Sequence, residues 1–230
     1  MGDLSYTYAY PHPAVTADCV IFGYDRGVLK ILLVERGIDP YKGYWALPGG
    51  FMDIDETITE CALRELREET GLECAEVEQV GVFSSLGRDP RERVITVAHY
   101  ALVRLSEVRA GDDASRAQWF EVAALPPLAF DHAEIIARAT ELLRQRIFFK
   151  PVGFELLPEV FTMGELQRLY EAILGVTFDR RNFASKMHKL ELLLPVAERA
   201  EGTPSRIPTL YRFNAERYNS LKESGFRKEW

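Results

Sequence analysis

Three glutamates, Glu65, Glu68 and Glu69, stand at i, i+3 and i+4 in the stretch GFMDIDETITECALRELREETGL, which runs from Gly50 to Leu72. On a helix that spacing gathers the carboxylates on one side. A charged helix face is ordinarily just solvated. Here, at about 100° per residue, Glu65 and Glu69 fall on the side occupied by Ile58, Ala62 and Leu66, which is the apolar side. They also lie in the last turns, where the helix dipole disfavours anions by roughly 0.3–1 kcal/mol each. Like charges at i, i+4 add further repulsion. A bound cation resolves this arrangement, and an all-oxygen donor set points to Mg²⁺ or Mn²⁺ rather than zinc.

The elements that must hold these groups can be read from periodicity. Strand-like runs cover Val15 to Phe22, Leu29 to Glu35, Ala75 to Phe83, Val94 to Val103 and Ala117 to Val122, broken by turn signals such as GYDRG at 23–27. Helical patterns cover Glu56 to Thr70, stopped by Gly71, and His132 to Gln145. The class is therefore α+β: a mixed sheet flanked by helices, followed by a smaller unit. The texture changes around Arg146 to Pro151, which places one domain at 1–147 and a second at 148–230.

In the second part a strand is expected over Phe154 to Leu157, then two short helices. Thr162 with Glu165 forms a capping box and Gly175 a stop. Between them Leu166, Leu169, Tyr170, Ile173 and Leu174 follow the spacing of one buried face. Asp179 then caps a helix expected to run to about Leu193, with Phe183, Met187 and Leu190 on its apolar stripe. Arg181, Asn182, Ser185, His188 and Lys189 take the other side. Such a face is commonly no more than a solvated surface. Two short helices joined by GVTF at 175–178 also fit a helix-turn-helix, whose second helix enters the major groove. Arg180, Arg181, Lys186 and Lys189 would then neutralise phosphates, while Asn182, Ser185 and His188 are types that reach base edges. The segment from Thr203 to Pro208, with Arg206, and the strand-like Leu210 to Phe213, with Arg212, would form a wing.

Gly50, Glu56, Arg64, Glu65, Leu66, Glu68, Glu69, Gly71 and Leu72 meet the pattern GX5EX7REUXEEXGU, so the first domain is identified as resembling the Nudix family. The resemblance implies that Glu65 and Glu69 bind metal with Glu68 assisting, that Arg64 orients a carboxylate and that Glu56 buttresses the loop. Gly49 and Gly50 would let the backbone approach a diphosphate. The matching chemistry is metal-assisted attack of water on a pyrophosphate, with a glutamate as base. Arg88, Arg91 and Arg93, in RDPRER at 88–93, offer a cationic loop for a phosphate or ribose, and a plain surface role is the alternative for each. The region from Phe83 to Val103 resembles that of Nudix proteins that handle ADP-ribose.

A Nudix-like domain followed by FTMGELQRLYEAILG and DRRNFASKMHKL resembles the Nudix-related transcriptional regulators, the NrtR family, over nearly the whole chain. This implies a domain that senses an ADP-ribose-like nucleotide and a winged helix that binds a double-stranded operator as a homodimer. Many members of that family have a degraded Nudix box. The box here is intact, so hydrolysis stays open. Three readings follow: a ligand-responsive regulator, a Mg²⁺-dependent hydrolase of the ADP-ribose pyrophosphatase type, or a tail that docks an acidic protein partner.

Composition bounds these readings. The chain has 230 residues, 47% of them hydrophobic, enough to bury a core in each part. Its net charge is −7, but from Arg146 onward it carries 14 Lys and Arg against 11 Asp and Glu, so the tail is the basic part. Cys19, Cys61 and Cys74 form neither a CxxC pair nor a zinc pattern. The N-terminal residues lack the character of a signal peptide and no run is long enough to span a bilayer, so a cytoplasmic protein is expected.

Overall fold

The computed structural model describes residues 7–74, 76–106, 114–149, 153–196 and 208–224. Near-continuous apolar runs, buried on both faces, place β1 (Ala14–Asp25) and β2 (Val28–Arg36) inside a seven-stranded mixed sheet. The sheet also contains β3 (Trp45–Ala46), β4 (Gly49–Phe51), β5 (Glu78–Phe83), β6 (Val94–Leu102) and β7 (Ala114–Glu121). β1 runs parallel to β6 over its length and antiparallel to β2 only at its far end, from Phe22 to Asp25. At its near end, Thr16 to Asp18, β1 pairs with β4 instead. β2 diverges there and pairs with β3 through Val34 and Glu35. The sheet thus splits beside Asp18, and the link Leu47-Pro48 crosses the split.

Because side chains alternate across a strand, β1 sends Ala17, Cys19 and Ile21 to one face and Val20 and Phe22 to the other. The first set packs with Cys61, Ala62 and Leu66 of α1 (Ile58–Thr70). The second packs with Ile135, Ala139 and Leu143 of α2 (His132–Phe149). α1 begins at the Thr57 N-cap, whose hydroxyl and Glu60 form a reciprocal capping box. Glu56, expected at the helix start, lies outside it and is released for the loop.

The second unit contains β8 (Val160–Thr162), α3 (Met163–Leu174), α4 (Arg180–Lys189), β9 (Leu193–Pro195), β10 (Leu210–Phe213) and α5 (Ala215–Ser224). β10 lies between β8 and β9 in a three-stranded antiparallel sheet. Thr162, Glu165 and Gly175 cap α3 as the sequence indicates, with Gly175 at φ 69°. Gln167 donates to the Phe178 carbonyl at 2.9 Å and the Phe178 N–H donates to Glu171 at 2.9 Å, which pins the turn between α3 and α4.

Two expectations are corrected. Phe154–Leu156 is a 3₁₀ turn, not a strand: Gly153, at φ 97°, turns the chain and the Leu157 N–H closes back on the Phe154 carbonyl. Four residues, three of them apolar, cannot by themselves distinguish the two. α4 ends at Lys189 rather than near Leu193, because Glu191 is left-handed at φ 57° and Asn214 bonds the Glu191 and Leu192 carbonyls. Leu193 instead opens β9.

The two units share one apolar core, which runs from Val20 and Phe22 through Leu143 and Ile147 to Leu157, Leu169 and Ile173. Arg104 Nε donates to the Leu157 carbonyl at 2.7 Å and Arg144 Nε to the Ile173 carbonyl at 2.9 Å. Among the described residues no helix is long and apolar enough to cross a membrane.

Candidate functional site

The split in the sheet opens a cavity of about 430 Å³, lined by Asp18, Arg36, Gly49, Glu65, Glu69 and Phe130 among others. Its geometry depends on Arg64. That guanidinium donates to Glu56 through Nε at 3.0 Å and Nη2 at 2.6 Å, and Nη2 also reaches the Phe51 carbonyl at 3.1 Å. Nη1 donates to Glu65 at 2.7 Å and to Glu68 at 3.1 Å. One cation therefore ties the 51–56 loop to the helix and holds Glu65 in place. Glu56 in turn accepts the Asp53 N–H at 2.8 Å, and these bonds, Arg64 foremost, hold its carboxyl down at about 2.

Glu65 and Glu69 line the cavity; Glu68 is on the solvent side and does not. Burial pushes the Glu69 carboxyl up to about 8, with the charges of Glu65 and Asp18 adding to the rise. Its hydrogen bond is from the Gly49 N–H at 2.9 Å, and it has no ion-pair partner among the described residues. Burial likewise raises Glu65.

Such a pair fits a divalent cation in charge and donor chemistry. No group of three His, Cys, Asp or Glu among the described residues is placed to hold an ion unaided. Mg²⁺ commonly relies on one or two carboxylates together with substrate phosphates and water.

The glycines have a reason that spacing does not reveal. A Cβ on Gly50 would meet the Glu65 carboxylate at 2.4 Å, and one on Gly49 would meet the Ala17 carbonyl at 2.2 Å. They let the strand approach the protein's own groups, rather than only a diphosphate.

Arg88 is buried, not a loop cation: Nε and Nη2 grip Asp131 at 2.9 and 2.8 Å, and Nη2 lies 3.4 Å from Asp18. Arg91 lines the cavity but is paired with Asp89 at 2.7 Å. Arg93 is not brought to the cavity and donates to the Ser85 carbonyl at 3.1 Å.

Four cavity residues, Asp18, Arg36, Phe130 and His132, escape the sequence reading. His132, fully buried, accepts the Leu47 N–H on Nδ1 at 2.8 Å, fixing the crossing segment, and burial lowers its pKa. Asp18 carried a signal: a lone acid inside an apolar strand needs a partner. Arg36 ends an apolar strand, an unremarkable place for a surface cation.

In the second unit Phe183, Met187 and Leu190 are buried. Arg180, Arg181, Asn182, Ser185, Lys186, His188 and Lys189 are all exposed on α4. The His188 ring lies 5.7 Å from that of Tyr211 on β10. Arg212, also exposed, pairs with Glu159 at 3.3 Å. Arg206 lies outside the described residues.

Comparison with known proteins adds to this geometry. Residues 12–139 match the NUDIX domain family and residues 153–213 the NrtR DNA-binding winged helix domain. The ADPR responsive transcriptional repressor NtrR of Acinetobacter baylyi is 34% identical over 91% of this chain and 86% of its own. The ADP-ribose pyrophosphatase of Methanocaldococcus jannaschii is 46% identical over 58% of this chain and 77% of its own. Shewanella oneidensis NrtR in complex with a 27mer DNA superposes with a TM-score of 0.73 at 31% identity, covering 89% of this chain and 95% of that one. The NUDIX domain of that NrtR, complexed with ADP ribose, gives 0.56 at 36% identity, covering 59% and 91%.

Proposed function

The chain belongs to the Nudix family and carries an NrtR winged helix DNA-binding domain, and from this we propose that it is a transcriptional regulator that responds to ADP-ribose or a related nucleoside diphosphate derivative. Residues 1–147 take the nucleotide and residues 148–230 a double-stranded operator, with the protein acting in the cytoplasm as a homodimer. The observation that carries this reading is the joining, through one apolar core, of a carboxylate- and arginine-lined cavity to an exposed basic helix. Ligand binding alters DNA binding only if it favours one arrangement of the protein over another.

On DNA, Arg180, Arg181, Lys186 and Lys189 contact phosphates and Asn182, Ser185 and His188 reach base edges, with Arg212 on β10, and Arg206 by its place in the sequence, as further contacts. In the cavity, Glu65 and Glu69 would hold Mg²⁺ or Mn²⁺, with Glu68 at its margin. Such an ion, when bound, neutralises a diphosphate and acidifies water. Arg64 keeps Glu65 in position, and the buried, like-charged setting of Glu69 gives a bound cation a carboxylate to neutralise.

The nine matched positions of the Nudix box and the likeness to an ADP-ribose pyrophosphatase favour a second activity, hydrolysis of the same ligand. The two readings are separated by a gel-shift assay on DNA upstream of the protein's own gene and neighbouring operons, with ADP-ribose titrated in Ca²⁺ instead of Mg²⁺. A specific shift altered by ADP-ribose supports the regulator. Absence of any shift at low salt, where even non-specific binding registers, sinks it and leaves the hydrolase.

A further inference from the structure

Four arginines line the cavity: Arg36, Arg64, Arg88 and Arg91. Three are neutralised by carboxylates, Arg64 by Glu56, Glu65 and Glu68, Arg88 by Asp131 and Asp18, and Arg91 by Asp89. Arg36 has no carboxylate within ion-pair distance among the described residues. Its hydrogen bond is from Nε to the Pro40 carbonyl at 2.8 Å. Burial, and then the like charge of Arg91, pull its pKa down, although Glu69, Asp89 and Asp18 partly compensate. A partly desolvated cation without a counter-ion is an anion site.

The surroundings are built to hold it. The Arg36 guanidinium lies over the Phe130 ring, with Cζ 4.8 Å from the centroid, and Arg91 lies over the same ring at 5.8 Å and over Phe51 at 5.4 Å. Phe130 and Tyr41 are both left-handed, at φ 51° and 65°, and meet edge to face with centroids 4.9 Å apart. Bulky side chains adopt that backbone only where surrounding structure imposes it, and such strain gathers at ligand sites. Here it sets the ring on which Arg36 rests.

We propose that Arg36, laid on Phe130 and tethered through Nε, takes the phosphate of the bound nucleoside diphosphate on its two Nη groups, so that the ligand is held without a divalent cation. The inference rests on the nucleotide reading above and extends it. Glu65 and Glu69 serve the ion, Arg36 serves the anion, and sensing is thereby separable from hydrolysis. Lysine would keep the charge but lose the planar fork that binds two phosphoryl oxygens together.

The test is calorimetric titration of the full-length protein in EDTA with ADP-ribose, and separately with inorganic pyrophosphate, for wild type, Arg36→Ala and Arg36→Lys, with thermal melts to establish folding. Wild type binds ADP-ribose without metal, Arg36→Ala weakens it about 30-fold, in the range expected for charge-assisted hydrogen bonds, and Arg36→Lys falls between. Affinities of Arg36→Ala and wild type within twofold would overturn the proposal, as would binding only on addition of Mg²⁺. Should Arg36→Ala fail to fold, Arg36→Lys decides, and equality with wild type counts against the bidentate role. If wild type ignores ADP-ribose but binds pyrophosphate, and Arg36→Ala abolishes that, the anion site stands and the ADP-ribose reading falls. If wild type binds neither probe, both fall.

Discussion

Gly50 and Glu65 are so close that a single methyl group on the glycine would stand 2.4 Å from Glu65 Oε1 and 2.5 Å from its carboxylate carbon. The obstacle is the end of a flexible side chain, so Gly50→Ala should fold while Glu65 is driven from its place beside Arg64. Its expected result is a loss of Mn²⁺ affinity of at least about tenfold, in keeping with misplacement of a ligand-orienting contact, with thermal stability nearly unchanged. At Gly49 the obstacle is backbone, the Ala17 carbonyl at 2.2 Å, and φ is 157°. Gly49→Ala should therefore destabilise the fold by about 1–3 kcal/mol or more. Equal stability of the two variants in urea titration would contradict this assignment.

Glu69 makes stability depend on pH. Its folded pKa of about 8 lies above the ordinary value of a glutamate in an unfolded chain. Between about pH 4.5 and 8 the folded state holds a proton that the unfolded state has released, so stability rises as pH falls through that window. The slope is at most about 1.4 kcal/mol per pH unit. Below the window Glu56 acts oppositely: its carboxyl, held at about 2 chiefly by Arg64, loses its stabilising contribution as pH drops from about 4.5. Melts in EDTA from pH 5 to 9 should show the slope in wild type and a flatter profile in Glu69→Gln. Superimposable profiles would remove Glu69 as its source. Divalent cation binding near pH 7 should release up to about one proton from wild type and fewer from the variant.

The carboxylate helix was legible because three things coincide within 23 consecutive residues: periodicity, repulsion and a motif. The start and apolar stripe of α4 were legible for a similar reason, since both are local, whereas its end at Lys189 depends on Asn214 and was not. What spacing could not show was which arginines are already neutralised. Arg88 and Asp131 are 43 positions apart, and their pairing depends on the chain returning at the start of α2. For the same reason Arg36 could not be recognised as a cavity cation that has no ion-pair partner among the described residues. Short strands β3 and β4 were missed because two and three residues are too few to show alternation.

On α4, charge and base-edge readers should separate experimentally. Arg181 and Asn182 are neighbours, both exposed, and their backbone N–H groups both donate to Asp179, at 3.1 and 2.9 Å. Truncating either side chain should therefore leave the helix cap intact. Arg181→Ala is expected to weaken binding to all DNA sequences alike and to reduce the slope of log K against log salt by about one. Asn182→Ala should leave that slope unchanged and cost about 1–3 kcal/mol on the operator alone. Fluorescence anisotropy on operator and scrambled duplexes at several salt concentrations distinguishes the two, and an identical pattern for both variants would refute the division of labour.

Arg144 offers a test of how the cavity reaches the DNA-binding unit. α2 begins at His132, whose ring accepts the Leu47 N–H in the segment that crosses the cavity's split. Three turns further on, Arg144 Nε donates to the carbonyl of Ile173, at the end of α3, in the same element whose apolar face continues the core. A shift of the crossing segment on ligand binding would thus be carried to α3 by a rigid helix gripped at both ends. Arg144→Ala removes one grip without touching the cavity or α4. It should leave the separate affinities for ADP-ribose and DNA within a few-fold of wild type while reducing the effect of ADP-ribose on DNA affinity, a coupling of about 1–3 kcal/mol in typical allosteric proteins. Anisotropy titrations of operator DNA with and without saturating ADP-ribose measure that coupling directly. If it is undiminished in the variant, transmission does not depend on the Arg144–Ile173 bond, and β2, which also packs against α3 and ends at Arg36, is the next route to test.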